Sequence, residues 1–292
     1  MKKKNIKQGL TYFTFTGPSI ILYCLFILWP LGLAIYYSLQ DWNGISTAYN
    51  FVGIQNYINV FKEKAFINSI LFTLNYMAVL VILLNLIGLL TALALNTKLK
   101  LRGLLRTAFF VPIVISAVVV GYMWNIIVSK LFPYLGNLFG IEMLARNWLA
   151  YPGTAYAALI IATVWQSFGY YMIIYLTGLQ SVPRELLEAA EIDGASKWKK
   201  FFHVTVPIIR PTFTVCIFLS IVNGLKAFDM IYSLTSGGPF GSTNTISFQI
   251  YTDAFKRDML SYASAKAIIF CIMIIVISLL QVFFMRRKET EA

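Results

Sequence analysis

Long apolar runs, separated by shorter stretches that carry most of the charged residues, dominate this 292-residue chain. A helix of about 20 apolar residues is long enough to cross the roughly 30 Å hydrocarbon layer of a membrane. Six runs reach that length, at residues 13–39, 70–95, 107–128, 155–179, 212–234 and 264–285. They predict an all-α integral membrane protein with one transmembrane domain, residues 13–285, between tails at 1–12 and 286–292.

The composition points to the same class of protein. Apolar residues make up 59% of the chain and charged residues only 12%, against about 25% charged residues in ordinary soluble domains. These values exclude a soluble core and intrinsic disorder as descriptions of the chain, and they make lipid its main surroundings. The net charge of +12 is then explained by Lys and Arg residues that flank the spans and fix their orientation in the membrane. No nucleic-acid partner is expected.

The distribution of Lys and Arg predicts the orientation of the helices, because such residues near helix ends are retained on the cytoplasmic side. With the N-terminus inside, the inner segments hold 16 of the 24 Lys and Arg residues and the outer loops hold six. Those six are Lys62, Lys64, Lys130, Arg146, Lys256 and Arg257. The count predicts that both termini lie in the cytoplasm.

Motifs for catalysis, metal binding or nucleotide binding are missing from the sequence. The three cysteines lie in apolar runs without a second ligand at metal-binding spacing, and His203 is the only histidine. Neither a phosphate-binding loop nor a dinucleotide-binding glycine motif occurs. No catalytic residue, metal or cofactor is therefore expected in this chain, and any energy source belongs to another protein.

Polar side chains inside the predicted spans are candidates for a substrate path, since they are costly in lipid and face a cavity or another helix. The predicted path consists of Asn75, Gln166, Tyr170, Asn223, Lys226 and Asp229. Gln166 and Tyr170 share a helix face, and Lys226 is expected to pair with Asp229 three residues on. Polar contact between helices remains open as the role of Asn75, Asn85 and the Lys226–Asp229 pair. Lys266, near the outer end of its span, is expected to extend to the membrane surface.

The longest segment on the predicted cytoplasmic side, residues 181–210, carries two short amphipathic patterns. Residues 184–192 predict one helix and residues 196–205 a second. Asp193 and Gly194 predict the turn between them. Together these elements predict a helical hairpin that projects from the membrane.

The hairpin also carries a recognisable motif. Its sequence, Glu188-Ala189-Ala190-x-x-Asp193-Gly194-Ala195 followed by Phe201, Val204, Pro207 and Pro211, resembles the EAA loop of permease subunits from binding-protein-dependent ABC importers. A second stretch, Phe228-Asp229-x-Ile231-Tyr232-x-Leu234-Thr235-x-Gly237-Gly238-Pro239, is similar to the sugar branch of that family. The resemblance implies the fold of a type I ABC importer permease in a bacterial inner membrane.

This resemblance also implies partners. An extracellular or lipid-anchored binding protein delivers a sugar, a second homologous permease completes the path, and two cytoplasmic ATPase subunits hold ATP and Mg²⁺. The residues that it assigns to ATPase coupling are Glu188, Ala189, Ala190, Asp193, Gly194 and Pro207. Gly194 is expected to turn the chain at positive φ.

Two other functions are weighed against a sugar importer subunit. The first is a secondary transporter or channel that works alone, a class in which interrupted helices and several intramembrane acids are common. The sequence offers one such acid, Asp229, and no internal repeat. The second is an ABC importer for a glycerol-phosphate-like solute, because such importers share the same motifs.

Overall fold

The structure, a computed structural model, describes residues 14–47, 49–97 and 99–289, the last four by their backbone alone. Its helices are α1 (Thr14–Ser38), α2 (Gln55–Lys62), α3 (Lys64–Leu95), α4 (Arg102–Val114), α5 (Ala117–Phe139), α6 (Glu142–Ala145), α7 (Pro152–Gln180), α8 (Arg184–Ile192), α9 (Lys197–Ile208), α10 (Arg210–Leu225), α11 (Ile246–Phe255) and α12 (Leu260–Glu289). Two short antiparallel strands, β1 (Gln40–Asp41) and β2 (Asn50–Phe51), form a hairpin. The predicted N-terminal tail 1–12, Lys98 and residues 290–292 lie outside the described residues.

Four of the six predicted spans are confirmed as continuous helices long enough to cross a membrane. These are α1, α3, α7 and α12, of which α3 has 32 residues and α7 has 29. The helix α3 begins earlier than predicted, at Lys64, and α12 begins at Leu260. Apolar runs of this length therefore identify the spans well, but they place the polar starts of the helices too late. The predicted cytoplasmic position of the termini stays a prediction.

The third predicted span, residues 107–128, is wrong as a single helix. The chain leaves helical geometry at Ile115 and Ser116, whose ψ angles are 136° and 134°. Pro112 lies in the last turn of α4, and a proline lacks the N–H that would continue the helical hydrogen bonds. The helix α4 ends two residues after Pro112, and α5 begins at Ala117 and runs to Phe139, which makes it a fifth helix long enough to cross a membrane.

The fifth predicted span, residues 212–234, is also wrong as one helix. The helix α10 ends at Leu225, residues 226–228 are not helical, and a π-helical turn follows at Ile231–Thr235. Thr245 Oγ1 donates a hydrogen bond to the Ala227 carbonyl at 2.9 Å. This bond satisfies a backbone acceptor that the broken helix leaves free. On its other side, α10 is bent by 71° from α9, and the two helices together are long and apolar enough to form a sixth, broken span.

By its internal contacts the chain divides into two compact units, one comprising residues up to Lys64 with Ile250–Ile272, the other Ala65–Gln249 with residues from Met273 on. In the larger unit, one asparagine connects three helices. The Tyr175 hydroxyl donates to Asn85 Oδ1 at 2.7 Å, and Asn85 Nδ2 donates to Ser220 Oγ at 3.0 Å. The role of Asn85 in polar contact between α3, α7 and α10 is thus confirmed.

Lys266, in the smaller unit, is buried and does not extend to a surface, so the expectation for it is wrong. Its side chain is 0% exposed, and Nζ lies 2.5 Å from Asp253 and 2.6 Å from Glu63. Arg257 also pairs with Asp253 at 2.9 Å, and the Tyr262 hydroxyl donates to Glu63. We call these five residues the Lys266 cluster. Its two carboxylates offset its two cations, which explains how a lysine is buried here.

Candidate functional site

Residues 181–210 form the predicted pair of short helices, and α8 has the predicted bounds. The turn between the helices places Gly194 at a φ of 76°, so the expectation of positive φ is confirmed. Ser196 then caps α9, because its Oγ accepts a hydrogen bond from the Lys199 N–H at 3.3 Å. The helix α9 continues through Pro207 to Ile208, three residues beyond the predicted end. A π-helical turn at Phe201–Thr205 comes just before this proline and shifts the hydrogen-bond register where the N–H is missing.

One ion pair fastens the two helices of this hairpin to each other. Lys200 Nζ donates to Glu191 Oε2 at 2.9 Å. The hydrogen bond from Lys200, with the attraction of its charge, lowers the pKa of Glu191 below its ordinary value. The pair is exposed on the Glu191 side, so it orients the helices and adds little stability.

The hairpin presents an apolar surface that nothing in the described chain covers. Four large apolar side chains are exposed along it: Leu186, Ile192, Trp198 and Phe202. Ile192 is 87% exposed and Trp198 is 72% exposed, and the ring of Trp198 stacks on that of Phe202. Around this surface, Glu188, Ala189, Asp193 and Gly194 are also exposed, whereas Ala190 and Pro207 are half-buried. We call it the hairpin surface, and a patch of this kind is typical of a protein interface.

A cavity of about 470 Å³ opens in the larger unit beside both interruptions of the helices. Four of the six residues predicted for a substrate path line it: Gln166, Asn223, Lys226 and Asp229. The sequence reasoning missed Ser116 and Thr163, which also line it, because hydroxyl groups are too common within spans to single out. Among the described residues, no group of three His, Cys, Asp or Glu side chains is placed to hold a metal ion.

Gln166 holds one edge of this cavity in place. It is buried, and its Nε2 donates to the Ile115 carbonyl at 2.9 Å. That carbonyl belongs to the interruption between α4 and α5, so the amide satisfies an acceptor outside the helical pattern. Across the cavity, Asn223 Nδ2 donates to the Tyr171 hydroxyl at 3.4 Å. Both amides keep hydrogen-bonding capacity for a ligand.

Asn75 and Tyr170, the other two residues of the predicted path, do not line the cavity. Asn75 Oδ1 accepts a hydrogen bond from the Tyr156 hydroxyl at 2.6 Å, which is the alternative role in polar contact between helices. Tyr170 packs edge-on against Tyr171. It shares a helix stripe with Gln166 but lies on the edge of that stripe, since residues four apart differ by about 40° in direction.

The expectation that Lys226 pairs with Asp229 is wrong. Both side chains are exposed on the cavity side of the break, and within the described chain no salt bridge joins them. Because α10 ends at Leu225, the spacing of three residues no longer places the two on one helix face.

We therefore expect the effects of Lys226→Ala and Asp229→Ala on complex yield to add, since residues without a shared contact behave independently. The measurement is the yield of folded complex in detergent for both single variants and the double variant. A double variant that folds clearly better than Lys226→Ala alone would show that the charges do depend on each other.

Comparison with known proteins places this architecture in a family. The family model for the binding-protein-dependent transport system inner membrane component matches residues 84–290. A probable starch degradation products transport system permease protein from Thermoanaerobacterium thermosulfurigenes is 36% identical over 290 residues, 99% of both chains. An sn-glycerol-3-phosphate transport system permease protein from Yersinia pestis is 30% identical, covering 93% of this chain and 92% of its own.

The fold has a counterpart among solved structures as well. A chain of a bacterial ABC transporter involved in the import of the acidic polysaccharide alginate superposes with a TM-score of 0.84 at 23% identity, covering 97% of this chain and 98% of its own. Its likeness establishes the fold, while the family match and the 36% identical relative establish descent. The chain belongs to the family of inner membrane components of binding-protein-dependent transport systems, and it is an integral membrane permease protein.

Proposed function

We propose that this chain is the transmembrane subunit of an ATP-driven importer for a carbohydrate. The observation that carries the proposal is the pairing of a cavity lined by hydrogen-bonding groups with an uncovered helical hairpin, in a chain of this family. A relative whose name refers to starch degradation products supports a saccharide as the cargo. A second homologous permease completes the path, and an extracellular or lipid-anchored binding protein delivers the sugar.

The hairpin surface is the proposed contact with one of two cytoplasmic ATPase subunits. Its exposed apolar side chains fit a hydrophobic groove, and Glu188 adds a charge that fixes the orientation. Ala189 and Ala190 lie on α8, and Asp193 follows its last residue. Gly194 and Pro207 determine the direction of the chain after α8. ATP and Mg²⁺ are held by the ATPase subunits, and this chain binds no cofactor. Closure of the ATPases then moves α8 and, with it, the helices of the permease.

The cavity between the broken helices is the proposed substrate path. Gln166, Asn223, Lys226 and Asp229 supply donors and acceptors for sugar hydroxyls, and Tyr171 and Phe228 add aromatic surface. A transporter must release its cargo, so a cavity that forms few hydrogen bonds with the cargo suits the task better than a tight site. Asn75 and Tyr170 support the helices around the path.

A stand-alone transporter is disfavoured by family membership, although the structure does contain the interrupted helices that are common in that class. The chain expressed without partners is expected to transport nothing. An importer for glycerol phosphate has a named relative in its favour. Among the described residues that line the cavity, Lys226 is the single cation and Asp229 the single anion, a balance that suits a neutral cargo better than a phosphate.

Two asparagines provide a matched test of the path. Asn223 lines the cavity and Asn75 does not, while both are exposed within the described chain. We expect Asn223→Ala to lower sugar uptake about tenfold or to change which sugars pass, as loss of a ligand hydrogen bond does. Asn75→Ala should leave uptake close to normal. Uptake into proteoliposomes, normalised to complex yield, is the measurement, and equal losses in the two variants would contradict the proposed path.

A further inference from the structure

A second cavity, of about 500 Å³, lies wholly within the smaller unit and is separate from the proposed substrate path. Its walls come from the β1 end of the β1–β2 hairpin, from α2 and from the segment that leads into α12. Residues central to it include Asp41, Trp42, Asn43, Asn59, Asp258 and Ser261. We call it the Trp42 pocket. The predicted topology puts these segments on the outer side of the membrane.

Three asparagines give this pocket unused donors as well as unused acceptors. Asn43 Oδ1 accepts from the Ile45 and Ser46 N–H groups, which leaves its Nδ2 as a donor. Asn59 Oδ1 accepts from Gln55, which again leaves Nδ2. In Asn56 the roles of the two amide atoms are exchanged. Its Nδ2 donates to the Ser38 and Gln40 carbonyls, and its Oδ1 stays available to accept. A hydroxyl group both donates and accepts, so a polyhydroxylated ligand matches this set.

A buried hydroxyl group at the same place lacks a partner. Ser261 is 2% exposed, and its Oγ forms no hydrogen bond with any described residue. Its backbone is fixed, because the Ser261 N–H donates to the Trp42 carbonyl at 3.1 Å. An unpaired hydroxyl group in a protein interior carries a desolvation cost that a bound ligand can relieve. Ser261 also lines the pocket, so its hydroxyl group is close to the space that a ligand would occupy.

The charge of the pocket restricts the class of ligand further. Glu63 and Asp253 are offset by Lys266 and Arg257 within the Lys266 cluster. Asp41 and Asp258 have no salt bridge in the part of the chain that the structure describes, so they leave the pocket negative. A phosphate or a carboxylate on the ligand would be repelled there. A neutral sugar is accepted, because carboxylate oxygens bind its hydroxyl groups well.

Trp42 adds an apolar wall of fixed orientation. Its Nε1 donates to the Ser46 carbonyl at 2.7 Å, and its ring packs against Tyr37 at 4.7 Å between centroids. A large pocket with one aromatic wall and a few convergent polar groups is typical of a small-molecule site.

We propose that the Trp42 pocket is a second carbohydrate subsite, selective for neutral over anionic saccharides. The proposal rests on the proposed import of a carbohydrate. A pocket that captured a basic side chain of a partner protein would need acceptors alone, and the free amide donors of Asn43 and Asn59 favour the sugar.

Ser261→Ala is the sharpest test, because the hydroxyl group it removes has no partner to lose. Ser242→Ala is the matched control, since Ser242 Oγ is likewise buried without a partner among the described residues but lies outside the Trp42 pocket. The complete complex in nanodiscs, without binding protein, is titrated with maltotriose and followed by saturation-transfer NMR. We expect Ser261→Ala to weaken binding by about three- to tenfold and Ser242→Ala to leave it unchanged.

Selectivity is tested with Asp41→Asn combined with Asp258→Asn. Asn tolerates the positive φ of 52° at position 258, so this pair removes charge and preserves the backbone. The wild-type complex is expected to bind maltotriose and not trigalacturonate, and the double variant to bind both.

The proposal is overturned if the two serine variants bind maltotriose equally, if the wild type binds trigalacturonate as well as maltotriose, or if trilysine binds in place of the sugar. ATP-driven maltotriose uptake is measured in parallel on complete transporters. If uptake is normal and the pocket variants bind maltotriose like the wild type, the second subsite is refuted and the proposed function stands. If the complex imports no carbohydrate, the proposed function itself is refuted.

Discussion

Gly194→Val is expected to abolish sugar-stimulated ATP hydrolysis while the protein still inserts and folds. Gly194 has a φ of 76°, a region that a β-branched residue rarely adopts. A Cβ atom added here would meet no neighbouring atom within 4 Å, so the expected strain comes from the backbone conformation. It amounts to about 1 to 2 kcal/mol, which is enough to redirect a short exposed turn. Stimulated ATPase activity and co-purification of the ATPase subunits are the measurements.

Gly194→Asn is the control for that experiment, because Asn tolerates positive φ far better than Val. It should retain most of the stimulated activity, since a Cβ atom at this position meets no neighbour within 4 Å. Glu188→Lys tests the charge of the same surface and should release the ATPase subunits without affecting the turn. Normal transport by both Gly194→Val and Glu188→Lys would overturn the coupling role of the hairpin.

Lys266→Met is expected to cause the largest loss of stability, about 3 to 5 kcal/mol, which is typical when one partner of a buried ion pair is removed. The variant removes the cation that pairs with Glu63, while Asp253 keeps its ion pair with Arg257. Thermal unfolding of the purified protein in detergent measures the effect. The loss comes from an uncompensated buried charge, because Met fills a similar volume.

Lys62→Met is the matched control, since Lys62 is exposed and forms no salt bridge within the described chain. It should change the unfolding temperature little. Lys266→Met with Glu63→Gln should recover part of the loss, because the second change removes the carboxylate charge that lost its cation. If Lys266→Met and Lys62→Met unfold alike, the cluster contributes nothing to stability.

Local patterns in the sequence predicted the features that depend on nearby residues. The long apolar helices follow from hydropathy, and the hairpin of residues 181–210 follows from its amphipathic pattern and from Gly194. Each of these features is determined by residues within a few turns of one another, and so a single chain reveals them.

The features that the sequence did not reveal depend on partners far along the chain. The interruption at Ile115 is held by Gln166, 51 residues away, and Lys266 is paired with Glu63. Asn75 and Asn223 are the same residue type in two predicted spans, and only the three-dimensional packing of the helices shows that Asn223 lines the cavity and Asn75 does not. The mean hydropathy of a span does not reveal such details, because one proline or one amide side chain changes that mean very little.

The hydrogen bonds of α7 have a mechanical consequence. Gln166 holds the backbone at one interruption, and Tyr171, five residues later, contacts Asn223 just before the other. The two attachment points are separated by about 7.5 Å along a single rigid rod. A small rotation of α7 about its own axis would therefore displace both irregular segments together. The width of the path at both breaks would then be controlled by one degree of freedom, without any bending of the surrounding helices.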